Sequence, residues 1–176
     1  MQIPIPLKQG DTIGLISASG ATPPEKLQQA IESVEKLGFK VIVGETCRAK
    51  HGYLAGSDEL RAKEVNQMFS DPAVDGIFCI RWGYGATKIL PLLDFDMIKR
   101  NPKVFAGYSD GTALHIAFKQ LCNFVTYHTP RPSTEIKQKN TGFLRCSKIR
   151  YEFYSALFSL TFTSFSLRMS AQSTTA

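Results

Sequence analysis

The chain has 176 residues, 43% of them hydrophobic and 20% charged, which suits one good core, hardly two full domains, and a folded rather than a disordered protein. The formal charge of +6 argues for no nucleic-acid partner, because it sits at one end. Residues 1–130 hold 14 Lys and Arg against 13 Asp and Glu, whereas residues 131–176 hold 7 against 2.

The N-terminus has neither a basic start nor an unbroken apolar run, so no signal peptide is predicted and a cytoplasmic location follows. Asp11 and Thr12 open an apolar run to Ile16 that ends in Ser17-Ala18-Ser19-Gly20, a buried strand leading into a small-residue turn. Pro23 and Pro24 start a helix in which Leu27, Ala30, Ile31, Val34 and Leu37 recur at helical spacing, with Gly38 placed as its C-terminal cap. Lys40 to Val43 is a second strand. Asp58 is expected to cap a helix through Phe69, stopped by Asp71-Pro72.

Gly76 to Ile80 reads as a third strand, and Gly83-Tyr84-Gly85 turns into a helical stretch limited by Pro91. Val104 to Tyr108 is a fourth strand, Thr112 to Leu121 a helix and Phe124 to Tyr127 a fifth strand. Strands alternating with helices predict an α/β fold: a doubly wound, mostly parallel sheet covered on both faces. After Pro130 the pattern is lost. Residues 151–167 mix Phe and Leu with Ser and Thr at no clean period, and the stretch is too hydroxyl-rich for a membrane span. The expected organisation is therefore a domain over 1–130 and an irregular tail over 131–176, with no membrane partner.

The four cysteines, Cys47, Cys79, Cys122 and Cys146, have the spacing of neither a metal site nor a disulfide framework, and read as reduced, mostly buried thiols. Chemistry is concentrated in two loops. Gly107-Tyr108-Ser109-Asp110-Gly111 is a G-x-S-x-G pattern between a strand and a helix, the setting of a nucleophile elbow. There Ser109 is pushed out at the carboxyl edge of the sheet, and the Asp110 amide points to where an oxyanion would form. The plainer alternative is a glycine-rich turn with Ser109 as a helix cap.

Arg81-Trp82-Gly83-Tyr84-Gly85 ends another strand on the same edge. Its glycines expose amides that could supply a second oxyanion donor, and Arg81 could grip a substrate carboxylate in a two-pronged bond, although a structural salt bridge explains Arg81 equally well. As a dinucleotide fingerprint it is poor, because Lys88 replaces the third glycine. His115 should project away from the elbow, His51 and His128 lie in or beside loops, and none is placed as a base.

Six blocks in order, Asp11–Ile16, His51–Asp58, Gly76–Gly85, Leu93–Asp96, Val104–His115 and Val125–His128, resemble the muropeptide LD-carboxypeptidase family, which includes the microcin self-immunity peptidases. The likeness runs from about Leu7 to Thr129. It implies a flavodoxin-like N-terminal domain of a serine peptidase, with a Glu and a His from a second domain completing a Ser-His-Glu triad. On matching motifs, Ser109 is the nucleophile and the amides of Asp110 and of Trp82 or Gly83 form the oxyanion hole, while Arg81 and Tyr84 touch substrate. The implied reaction releases a terminal D-amino acid, typically D-alanine, from small muropeptide-like substrates in peptidoglycan recycling. The resemblance implies no metal, no cofactor and, for full-length members, a homodimer.

Two departures bear on the site. Trp82 stands where the family usually has Gly, which bears on the second oxyanion donor and on the room beside Ser109, and Gly111 replaces what is commonly a larger residue, a change expected to be harmless. Only 67 residues follow Ser109 and no histidine follows His128, so the chain reads as a truncated or frameshifted member, inactive alone. Two other readings remain open: a non-catalytic α/β peptide-binding or dimerisation module, and a nucleotide binder using Ser17 to Gly20 as a phosphate loop.

Overall fold

The apolar runs of the sequence become five short strands: β1 (Thr12–Ile16), β2 (Lys40–Val43), β3 (Gly76–Cys79), β4 (Val104–Gly107) and β5 (Tyr127–His128). In the computed structural model, which describes residues 1–129, all of them run parallel in the order β2-β1-β3-β4-β5. Ile13 pairs with Val41 on one side and Gly76 on the other, Ile77 with Phe105, and Gly107 with His128. This is a doubly wound α/β sheet with the flavodoxin-like strand order. Every residue of β3 and β4 is buried, as expected where helices cover both faces.

Alternation along the strands divides the core. Ile13 and Leu15 of β1 face the first helix, α1 (Pro24–Glu35), which buries Leu27, Ala30 and Val34 against them. Ile16 joins the opposite layer, built on α2 (Asp58–Ser70), α3 (Ala86–Ile89), α4 (Phe95–Arg100) and α5 (Thr112–Ala117). Four phenylalanines knit that layer: Phe69 and Phe105 each meet Phe118 edge-on at 5.1 and 5.0 Å between ring centroids, and Phe124 stacks on Phe118 at 5.6 Å.

Several sequence expectations shift in detail. The cap of α2 is Ser57, whose Oγ accepts the Leu60 amide at 3.2 Å, while Asp58 turns inward to pair with Arg61. The stretch after Gly85 is broken into α3 and a 3-10 turn at Leu90–Leu92 by Pro91, which has no amide to continue a helix. The six-residue α4, capped by the Asp94 carboxylate on the Met97 amide, is too short to show a period. β5 is shorter and later than expected, because Phe124 points into the core and its backbone bridges Gln2 instead. The boundary at residue 130 and the tail over 131–176 lie outside the described residues. No helix among the described residues is long and apolar enough to cross a membrane.

Candidate active site

β4 ends in a tight turn. Tyr108 is extended, Ser109 adopts φ 57°, and the Gly111 amide closes back on the Tyr108 carbonyl at 3.1 Å before α5 begins. The left-handed region is unfavourable for a residue with a Cβ and persists only where the surroundings over-determine it. Ser109 is exposed, and its hydroxyl has no hydrogen-bond partner among the described residues. The strand-to-helix position and the strained, outward-pointing serine are the geometry of a nucleophile elbow.

His115 explains how the near side of the turn is held. It lies in the core, not in the cleft: Nε2 bonds the Gly107 carbonyl at 3.2 Å and Nδ1 the Thr126 hydroxyl at 2.8 Å. Because a carbonyl only accepts, Nε2 carries the proton and donates, and Nδ1 accepts from Thr126. The Thr129 amide donates to the same Gly107 carbonyl at 2.9 Å. Burial first, helped by the nearby His128, lowers the pKa of His115 to about 4, against a bond to Gly107 that works the other way.

Between the folded pKa of about 4 and the ordinary 6.5, the unfolded chain binds the extra proton, so stability falls as pH drops through this window. Going from about pH 7 to about pH 5, this ring should cost roughly 2 kcal/mol. Glu64 opposes it, since burial raises its carboxyl pKa and its contribution is lost as pH rises. Comparing His115→Gln with the parent isolates the histidine. Urea unfolding at the two pH values should show a flatter profile in the variant, and equal slopes would contradict the assignment.

The Asp110 side chain does something the sequence did not reveal. Its carboxylate accepts the Ser19 hydroxyl at 2.7 Å and the Ala86 amide at 2.8 Å, tying the elbow to the loops after β1 and β3. Arg61 ties the same two loops from beneath. Fully buried on α2, it donates Nη1 to the Ala18 carbonyl at 2.6 Å and the Gly85 carbonyl at 2.9 Å, and Nη2 to Asp58. The signal was present: Arg61 sits at i−4 and i−8 from Val65 and Phe69, on the apolar stripe of its helix.

The loop after β3 runs beside the elbow. Trp82 is only 4% exposed and belongs to the core layer with Ile16, Ala86 and Leu114; its indole packs closely beneath the Ser109 turn, against Gly107 and Gly111. Gly83 and Tyr84 are exposed, and the Tyr53 phenol rests against Gly83, a neighbour the sequence reading did not assign. Arg81 is half-buried and forms no salt bridge among the described residues, and its buried Nε has no partner.

The phosphate-loop reading loses its hydroxyls. Ser17 and Ser19 are buried, with Ser17 Oγ bonded to Thr22 at 2.7 Å and Ser19 to Asp110. Cys47, Cys79 and Cys122 are free and buried; burial pushes the Cys47 thiol up to about 12 and that of Cys122 up to about 11, so neither is a ready nucleophile. Cys146 lies outside the described residues.

A parallel α/β sheet that presents a left-handed serine between β4 and its helix defines a domain of the nucleophile-elbow class. The chain belongs to the LD-carboxypeptidase family: residues 13–129 match the LD-carboxypeptidase N-terminal domain. It is 41% identical over 133 residues to the probable murein peptide carboxypeptidase of Bacillus subtilis, covering 76% of this chain and 42% of that protein. Among solved structures, an MccF-like protein from Bacillus anthracis superposes with a TM-score of 0.72 at 34% identity, covering 76% of this chain and 41% of that one. The muramoyltetrapeptide carboxypeptidase of Oxalobacter formigenes does so with 0.64 at 28% identity, over 69% and 40%. The chain thus spans about 42% of the length of the Bacillus subtilis relative.

Proposed function

We propose that this chain is the nucleophile-bearing part of a serine carboxypeptidase of LD-carboxypeptidase type, which releases terminal D-alanine from peptidoglycan tetrapeptides. The observation that carries the reading is the exposed Ser109 held at φ 57° between β4 and α5. The names of the relatives, murein peptide and muramoyltetrapeptide carboxypeptidase, support the substrate class. A cytoplasmic setting in peptidoglycan recycling, homodimeric assembly, and a nucleophile domain ending near residue 130 belong to the same proposal and rest on the resemblance.

In this reading Ser109 Oγ bonds to the carbonyl carbon of the scissile amide, its proton passing to a base. The Asp110 amide and an amide of Trp82 or Gly83 receive the oxyanion. The C–N bond then breaks, the leaving D-alanine nitrogen takes the proton, and water hydrolyses the acyl-serine. Arg81, with no partner in the described residues, holds the substrate's free carboxylate by a charge-assisted bond, and the exposed Tyr84 lines the approach. The residues named need no metal or cofactor. In this reading the base and its carboxylate partner come from outside residues 1–129, because the buried imidazole of His115 is spent on Gly107.

A competition experiment tests the assignment of substrate and of Arg81. A tetrapeptide ending in D-alanine should slow modification of Ser109 by a fluorophosphonate, and the same peptide with an amidated C-terminus should not. Arg81→Met should abolish the protection without changing the unprotected rate. Equal protection by both peptides would count against carboxylate recognition.

A further inference from the structure

We propose that the indole of Trp82 is the floor that braces the Ser109 turn, making Trp82 a positioning residue for the nucleophile. The proposal rests on the reading of Ser109 given above and deepens it. A Cβ built on Gly111 would lie 2.5 Å from Cζ2 and 2.7 Å from Cζ3 of the indole, and one built on Gly107 would fall 3.1 Å from Cε2 and still closer to Cζ2. The ring therefore touches bare backbone two residues before and two residues after Ser109. Such close approach is open only to glycine.

The same side chain belongs to the Arg81–Gly85 loop. One rigid ring thus sets the spacing between the serine turn and the loop offered as the second oxyanion donor. Its Nε1 is buried and has no hydrogen-bond partner among the described residues, so there packing holds the ring, and a benzene ring should serve nearly as well. Strain at Ser109 can persist only while both shoulders of the turn are pinned. His115 and Thr129 pin the Gly107 side; the indole is what meets Gly111.

The test uses the whole chain and two readouts, melting temperature and the rate at which a fluorophosphonate modifies Ser109 in protein that is still folded. Gly111→Ala should lower Tm by about 5 °C or more through overpacking and slow modification about tenfold by displacing the serine. In a Trp82→Gly background the same alanine should cost little in either readout, and Trp82→Phe should recover most of the reactivity that Trp82→Gly loses. Should Trp82→Gly not fold, Trp82→Phe replaces it, and the alanine should then cost less than it does beside the indole. Equal cost of the alanine in both backgrounds overturns the proposal, as does a folded Trp82→Gly that reacts at the parent rate. A parent protein that forms no Ser109 adduct even after long incubation at mildly alkaline pH overturns the nucleophile reading and the positioning role with it, even if the Tm coupling survives as packing.

Discussion

A purified polypeptide of these 176 residues, given a peptidoglycan tetrapeptide, is expected to release D-alanine about 10⁶-fold more slowly than a full-length relative. The estimate follows from what a serine hydroxyl requires. It attacks only when a positioned base removes its proton, and the same group must then protonate the leaving amine. Ser109 has no such partner among the described residues. His115 is buried, neutral down to about pH 4 and bonded at both nitrogens. His128, at 6.4 Å between ring centroids, meets the Tyr108 ring edge-on, and Glu64 is buried on Thr46. What remains is the oxyanion geometry and binding, worth roughly 10³ to 10⁴ over water in a comparable protease. D-Alanine release followed by chromatography decides the matter; turnover within about a hundredfold of a relative would place a working base inside this chain.

Arg61→Leu is expected to cost roughly 1.5 to 3 kcal/mol of stability, read as a lower denaturant midpoint. The leucine fills much of the space but leaves the Ala18 carbonyl without its donor, the Gly85 carbonyl with only the Lys88 amide at 3.2 Å, and Asp58 without its counter-charge. Each unsatisfied buried carbonyl is worth about 1 to 3 kcal/mol. Arg61→Lys should recover only part, because a single ammonium cannot reproduce the planar fork that serves two carbonyls and a carboxylate together. A loss below about 1 kcal/mol would mean the two loops are held by other contacts. The effect is local as well as global: Gly85 precedes α3, whose first amide, that of Ala86, is held by Asp110, so loosening Arg61 should loosen the elbow.

The sheet was legible because buried parallel strands such as β3 and β4 announce themselves as apolar runs, and the half-exposed edge strand β2 also emerged with its expected bounds. The elbow was legible for a different reason: glycines two positions either side of Ser109, between a strand and a helix, leave few backbone solutions. What hid from the sequence was polar and long-range. Asp110 was read for its amide, whereas its carboxylate bonds Ser19, 91 positions away. The partners of Arg61 are carbonyls, which no residue type marks. The direction of the Trp82 ring was not legible, because it is set by the space over Gly107 and Gly111, a property of the folded turn. Short elements such as α4 escaped because one and a half turns show no period.

The Ser109 hydroxyl should be the reactive group of this chain. Long incubation with a fluorophosphonate at mildly alkaline pH, followed by peptide mapping in a mass spectrometer, tests it directly. The expected result is a single adduct on Ser109, slow to form and absent from Ser109→Ala. An adduct elsewhere, or one that persists in that variant, would contradict it.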